Sequence, residues 1–261
     1  LAATVTVREV FRQASSLLQD TDPQFYRTPE REMVDFLSEG AMFVSSLLPT
    51  ASSRIDTVKL KPGGLQSIDT VAQADIIPGD GVPLTQPVQG IQVLRVLCNM
   101  GTTGLQAGKA IRITPAEIKD AQNLSWRGVA GTTIDQVCID PGTPKYFENY
   151  PAVQGPVWVR MAWCVQPQPV PYTGTPEAPQ YGSAGSNSTT IPLADEYAQV
   201  LINFIVARSN MRDAEWSDRN KGDYFAGLVV NWLNAKVAAI TGTNPNLKTL
   251  PFSPQPVGQA A

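Results

Sequence analysis

Apolar residues recur every three or four positions at both ends of this chain and at alternate positions through its middle. Near the C-terminal end, Val200, Leu201, Phe204, Ile205, Arg208 and Met211 follow one helical face, with Tyr197 a turn earlier. Ala194, Ala198, Ile202 and Val206 add apolar groups on other faces, which predicts a helix buried on most sides. Pro192 suits the first turn of that helix, and Asp195 with Glu196 complements the positive end of its dipole. A charged corner (Arg212, Asp213, Glu215, Asp218, Arg219) leads to a second stripe. It runs Phe225, Leu228, Val229, Trp232, Leu233, Val237, Ile240 and stops at Gly242, which suits a left-handed cap.

The beginning of the chain repeats the pattern. Thr6 and Glu9 form a capping box, and Val7, Val10, Phe11, Ala14, Leu17 and Leu18 give a clean stripe. Asp20-Thr21-Asp22-Pro23 breaks it. A second helix is expected from about Thr28-Pro29 through Met33, Phe36, Leu37, Phe43, Val44, Leu47 and Leu48 to Pro49. Gly40 inside it costs about 1 kcal/mol against Ala, so a close helix contact is expected there. The two helices are expected to form an antiparallel hairpin.

Beyond Pro49 the period changes to two. Strands are predicted at Arg54–Leu60, Leu65–Ile68, Ile91–Met100, Lys109–Ile113, Thr133–Ile139, Tyr146–Tyr150 and Val157–Val165. Thr114-Pro115-Ala116-Glu117 reads as a second capping box, opening a short helix to about Gln122. Residues 72–90 and 166–190 are rich in Pro and Gly and read as exposed segments.

The predicted fold class is therefore α+β. Residues 1–50 and 191–242 supply two helix pairs that close into a four-helix unit, since neither pair can bury its stripe alone. Residues 51–170 form an inserted antiparallel β domain with a short helix, and 171–190 form a linker. In 243–261, Leu247, Leu250, Phe252 and Val257 alternate with Pro245, Pro251, Pro254 and Pro256. Proline at that density forbids a helix, so an extended docking arm is expected.

Composition removes whole classes of chemistry. The 261 residues contain no histidine, which excludes Ser-His-Asp and Cys-His nucleophiles and disfavours a catalytic zinc site. A net charge of −3 argues against a wrapped nucleic-acid partner, and no apolar run has the length of a membrane span. The N-terminus, Leu1-Ala2-Ala3, lacks the basic and apolar regions of a signal peptide, so a leader is not expected. Cys98, Cys138 and Cys164 sit in apolar strand-like contexts and read as reduced, buried thiols. No cofactor and no metal are expected.

The remaining motifs have bland readings. Gly104-Leu105-Gln106-Ala107-Gly108-Lys109-Ala110 has three residues between its glycines where a phosphate loop has four, and Ala110 where Ser or Thr would hold magnesium. A strand-joining turn is the better reading. Asp135, Asp140 and Glu148 could supply a glycosidase carboxylate pair, but nothing in the sequence fixes their separation. Trp158 and Trp163 differ by an odd number, so in a regular strand they face opposite sides and cannot form one sugar platform. Arg8, Arg12, Arg27 and Arg31 read as a solvated face or as subunit salt bridges.

Several segments, in order, resemble the head-to-tail adaptor (connector) proteins of tailed bacteriophages. Thr6-Val7-Arg8-Glu9-Val10 through Leu17-Leu18-Gln19-Asp20 is similar to the family's opening helix, and Glu32–Gly40 to its second. Gly108–Arg112 through Asp120-Ala121-Gln122 and Trp126 is similar to its middle helix region. Tyr150-Pro151 with Val157–Val165 is similar to a recurrent strand pair. Ile191-Pro192-Leu193-Ala194-Asp195-Glu196-Tyr197, leading to Arg208 and Asp213-Ala214-Glu215, is the most specific piece.

The resemblance implies a non-enzymatic virion protein assembled in the host cytoplasm. It would form a dodecameric ring beneath the portal, bind the tail tube or nozzle below, and let DNA pass without specific binding. Apart from the resemblance, which does not extend to 243–261, the apolar and Pro-rich character of Leu247, Leu250, Pro251, Phe252, Pro254 and Val257 leads us to expect a portal-docking arm. The alternative is a tail-associated binding module whose β domain grips carbohydrate or another virion protein. A histidine-free carboxylate hydrolase is a third reading.

Overall fold

Helices form where the three-and-four stripes lie. The computed structural model describes residues 3–20, 28–81, 86–172, 189–212 and 218–241. In chain order its helices are α1 (Val7–Leu18), α2 (Glu30–Leu47), α3 (Ala116–Gln122), α4 (Ala198–Asn210) and α5 (Arg219–Thr241). The strands are β1 (Ser53–Leu60), β2 (Gly63–Ser67), β3 (Ile76–Pro78), β4 (Gly90–Asn99), β5 (Arg112–Ile113), β6 (Ala130–Gly131), β7 (Gln136–Ile139), β8 (Tyr146–Val153) and β9 (Val157–Val165). The chain is thus α+β. It divides into two compact units, Leu1–Leu48 with Pro169–Ala261, and Pro49–Gln168. No helix of the described residues is long and apolar enough to cross a membrane. The arm residues Leu247, Leu250, Pro251, Phe252, Pro254 and Val257 lie outside the described residues, as does Gly242.

In the helical unit, α4 is the common partner: α1, α2 and α5 each pack on it. Its Val200, Leu201, Ile202, Ile205, Val206 and Ala207 are all buried. Among the described residues α1 and α2 lean on α4 far more than on one another, so the expected N-terminal hairpin is not the organising contact. The physical reason is surface: α4 is apolar around most of its circumference and offers each stripe more to bury against. Gly40 of α2 is the close contact its sequence position implied. A Cβ there would lie 2.9 Å from the Phe204 ring, closer than real side chains approach.

The Thr6 half of the expected capping box forms, with the Glu9 amide donating to Thr6 Oγ1 at 3.2 Å. The start of α4 differs from expectation. Ile191 to Ala194 is not helical; Asp195–Tyr197 makes a 3-10 turn and the α-helix begins at Ala198. The preceding residues instead pair with the N-terminus: Thr6 bridges Thr190, the Ile191 amide donates to Val5 O, and the Val7 amide donates to Thr189 O. Asp195 closes this junction. Its carboxylate accepts the Thr4 amide at 2.7 Å, the Thr4 hydroxyl at 2.5 Å and the Val5 amide at 2.9 Å. Two further ties secure α5: Lys221 Nζ donates to Leu17 O, and Lys236 pairs with Glu196, both at 2.7 Å.

The β unit holds two sheets. One is wholly antiparallel in the order β3-β1-β9-β4. The other runs β2-β8-β7-β5, antiparallel except that the two-residue strands β5 and β6 add parallel pairings to β7 and β8. The Tyr150-Pro151 peptide within β8 is cis. Val58, Val93, Val96, Val159, Met161 and Trp163 of the first sheet meet Val137, Phe147 and Val153 of the second in one core. Parity along β9 holds as expected: Trp163 is fully buried, while Trp158 is only partly covered and points the other way.

Two expectations fail in this unit. Residues 72–90 are not simply an exposed loop, because Ile76–Pro78 pairs with β1, and buried Val71 bridges buried Val88. The box at Thr114 does not cap α3; Pro115 occupies the N-cap position with no side-chain bond. The cause is strand pairing, since the Thr114 amide donates to Val137 O at 2.9 Å and holds the chain extended.

Buried polar side chains tie the strand ends together. Asp56, 1% exposed, accepts the Trp163 indole N–H at 2.8 Å, Arg54 Nε at 2.5 Å and Nη2 at 2.9 Å, and the Gly79 amide at 3.0 Å. No side chain fits at Gly79, where a Cβ would lie 1.9 Å from Ile55 O. Asn99 acts as a stand-in for a peptide group. It accepts the Ile134 amide at 3.0 Å and donates to Ile134 O at 2.7 Å and Lys109 O at 3.1 Å.

Two outcomes follow from these ties. Asp56→Ala strands the indole N–H and takes from Arg54 the nearer of its two carboxylates, and should lower unfolding stability by about 3 kcal/mol, with Asp56→Asn losing less. Urea midpoints with an unchanged slope check this. The Thr4 hydroxyl, then the Val5 and Thr4 amides, hold the Asp195 carboxyl below its ordinary pKa. A carboxyl lowered in the folded state stabilises fully above its unfolded pKa of about 4, and that stability fades as pH falls through the folded value. Asp195→Asn should therefore be less stable than the parent at neutral pH, and the gap should close below about pH 4. A gap that persists undiminished in acid would mean the carboxylate charge is not what holds the junction.

Candidate interaction surfaces

The β unit carries a cleft of about 720 Å³ on the outer face of its second sheet. Register explains its lining. Leu65 and Cys138 both pair with Glu148, so the three side chains share one face. Tyr146 lies two residues before Glu148 on the same strand and therefore on that face too. The first turn of α3 and the pair Arg127 and Ile113 complete the walls. The rim is apolar and exposed, with Leu65 at 65%, Ile113 at 47% and Tyr146 at 43% accessibility.

Arg127 on the cleft wall is tied to Glu148 in the lining and to Asp120 outside it. Arg127 donates to Asp120 at 2.7 Å and to Glu148 at 3.0 Å, and it stacks on Trp126, 4.4 Å from the ring centroid. Trp126 is buried and gives its indole N–H to the same Asp120 at 2.8 Å. That bond and the Arg127 contact hold the Asp120 carboxyl below the usual carboxylate range. The two carboxylates in turn push the Arg127 pKa up. A general acid needs a carboxyl raised toward neutrality, and Asp120 moves the opposite way. Sequence reading passed over this cluster because Asp120 and Arg127 belong to different elements and no fixed spacing announces them.

The carboxylates singled out from sequence are only partly gathered. Asp140 and Glu148 both line the cleft, whereas Asp135 pairs with Lys109 at 2.9 Å and takes no part in it. Asp140 is engaged in its own turn, accepting the Gly142 amide at 2.8 Å and the Thr143 hydroxyl at 3.3 Å. The glycine-rich stretch is a turn that returns the chain beside β4, with the Gly108 amide donating to Asn99 O and Cys98 bridging Ala110. Gly104 has φ of 78°, and a Cβ there would meet the Trp158 ring at 2.9 Å. Of the other tryptophans, Trp232 packs edge-on against Tyr197 at 5.3 Å, and Trp216 lies outside the described residues. Arg8, Arg12 and Arg31 are at the surface, and Arg27 lies outside the described residues. Among the described residues no three of His, Cys, Asp and Glu gather where a metal could bind.

The helical unit has a second concavity, a groove of about 480 Å³ between α2, α4 and α5. Phe43, Phe204, Ala207, Met211, Gly227 and Val230 line it. The two rings lie 5.6 Å apart at 35°. Its edge carries the Glu39–Arg208 ion pair, at 3.1 Å, and the exposed Asp223. Both concavities combine exposed apolar side chains with a few charged groups.

A model of the SU10 adaptor protein family matches residues 5–243. No curated protein matches the chain.

The free thiols test the packing around the cleft. Burial first, and the Glu148 charge second, raise the Cys138 pKa; burial pushes Cys164 up to about 11. Cys98 is only partly buried. At about pH 8 an aromatic disulfide reagent should modify Cys98 first in the native protein, with Cys138 and Cys164 following only as the chain opens. A Cys138 rate equal to that of Cys98, with Cys164 still protected, would show the cleft floor to be open.

Proposed function

We propose, for a chain that belongs to the SU10 adaptor protein family of phage head-to-tail adaptors, a ring beneath the portal that joins it to the tail and lets DNA pass. The family match across residues 5–243 carries this reading. Membership makes the protein a structural component of a phage particle that associates with portal and tail proteins. The ring, its dodecameric count and the DNA channel are the finer steps taken here.

Physical considerations support them. A ring of identical subunits needs two different faces on each copy that fit one another. The apolar-rimmed cleft of the β unit and the groove of the helical unit are surfaces of the kind such contacts use. The four long helices serve as one scaffold, and the β unit as the excursion that reaches a neighbouring component. A net charge of −3 suits a conduit through which DNA slides without sticking. The arm, with Leu247, Leu250, Pro251, Phe252, Pro254 and Val257, inserts into the portal. Its prolines lower the entropy lost on ordering.

Light scattering of the protein alone and with its portal should give the mass of a ring, about twelve subunits. Deleting residues 243–261 should abolish capture by the portal while the far-ultraviolet circular dichroism of the helices stays unchanged. A soluble monomer that never assembles, with or without portal, would overturn the ring; undiminished capture by the truncated chain would overturn the arm.

A further inference from the structure

The groove between α2, α4 and α5 contains a helix glycine that internal packing does not explain. Glycine inside a helix costs roughly 1 kcal/mol against alanine, and at Gly40 that cost is offset by the approach of Phe204. At Gly227, in the middle of α5, an added Cβ would meet nothing within 4 Å among the described residues. The missing side chain leaves a flat floor in an open apolar groove, flanked by the Phe43 and Phe204 rings.

Aromatic-walled grooves with a flat floor are the sites that take proline-rich extended chain, because rings stack on pyrrolidines and the ligand is already stiff. This chain carries such a segment. Between Leu247 and Val257 it alternates Leu250, Phe252 and Val257 with Pro251, Pro254 and Pro256. The one charge beyond α5 is Lys248, and the groove edge offers the carboxylate of Asp223. Length permits the contact. From Val230 to the end of α5 at Thr241 the helix covers about 16 Å. The extended chain from Thr241 to Phe252 spans up to about 36 Å, enough to turn and run back.

We propose that residues Leu247–Val257 dock into the groove of their own subunit, between α4 and α5, with Phe252 as the apolar anchor and Lys248 toward Asp223. This goes beyond the portal-docking role and does not need it. The groove shelters an apolar segment in the free subunit, and a portal would have to compete it away.

Limited trypsin digestion of the full-length protein tests this, since Lys248 is the cleavage point within the segment. Gly227→Trp fills the groove from a position with open space, and Phe252→Asp removes the anchor without touching the helices. Cleavage after Lys248, followed by mass spectrometry, should be about 10-fold faster in either variant than in the parent, with circular dichroism unchanged. Equal rates in all three would overturn the proposal. Protection that grows with protein concentration would also overturn it, because the groove would then hold the segment of a second copy. No portal is present in this experiment, so its outcome is separate from that of the capture assay.

Discussion

A helix with almost no solvent face cannot exist without partners, and α4 is such a helix. Val200, Leu201, Ile202, Ile205, Val206 and Ala207 cover most of its circumference. Burying each large side chain is worth about 2 kcal/mol, so leaving any side open would cost a sizeable share of a domain's net stability. One neighbour cannot cover it. α5 follows directly in sequence, but α1 and α2 come from the other end of the chain. The two ends must therefore meet, and everything between Pro49 and Gln168 has to leave the helical unit and return. The junction at Asp195 and the Lys221 bond to Leu17 O fix where the ends meet.

The β unit solves a different problem. Its sheets share an apolar core, which is non-directional and tolerates sliding, so register has to come from groups that bond in one geometry only. Asp56, Asn99 and Gln66 supply them. Gln66 closes the turn between β1 and β2, accepting the Lys61 amide at 3.1 Å and donating to Lys61 O at 2.9 Å and Gly63 O at 3.1 Å. Asn99 ties β4 to the segment leading into β7, and Asp56 fastens β9 and the end of β3 to β1. Each is nearly fully buried, where an unmade bond would cost about 1–3 kcal/mol. A slipped register would break several at once.

How much of this was legible beforehand depended on whether the cause was local. The stripes of α1, α2, α4 and α5, the Thr6 cap and the parity of Trp158 and Trp163 are periodic or nearest-neighbour features, and the sequence states them directly. Gly40 was legible because a glycine in a good helix needs a reason. Strand β3 was not, since Ile76 and Ile77 are too few to establish a period amid Pro and Gly. Thr114 misled for the opposite reason: its local capping pattern is sound, but pairing with Val137 claims its backbone. Asp195 was assigned to a helix dipole because the true partners, Thr4 and Val5, lie at the far end of the chain. The Asp120–Arg127–Glu148 cluster was invisible for the same reason, being made by α3, the following turn and β8 together.

That cluster also shapes the surface that the cleft presents. The Trp126 indole and the Arg127 guanidinium hold the Asp120 carboxyl below its ordinary range. Arg127 gives Nε to Glu148 and Nη1 to Asp120, so its charge is already set against two carboxylates. What the cleft leaves available is its rim, where Leu65, Ile113 and Tyr146 stand in water. Covering them releases free energy in proportion to area and needs no proton, metal or nucleophile.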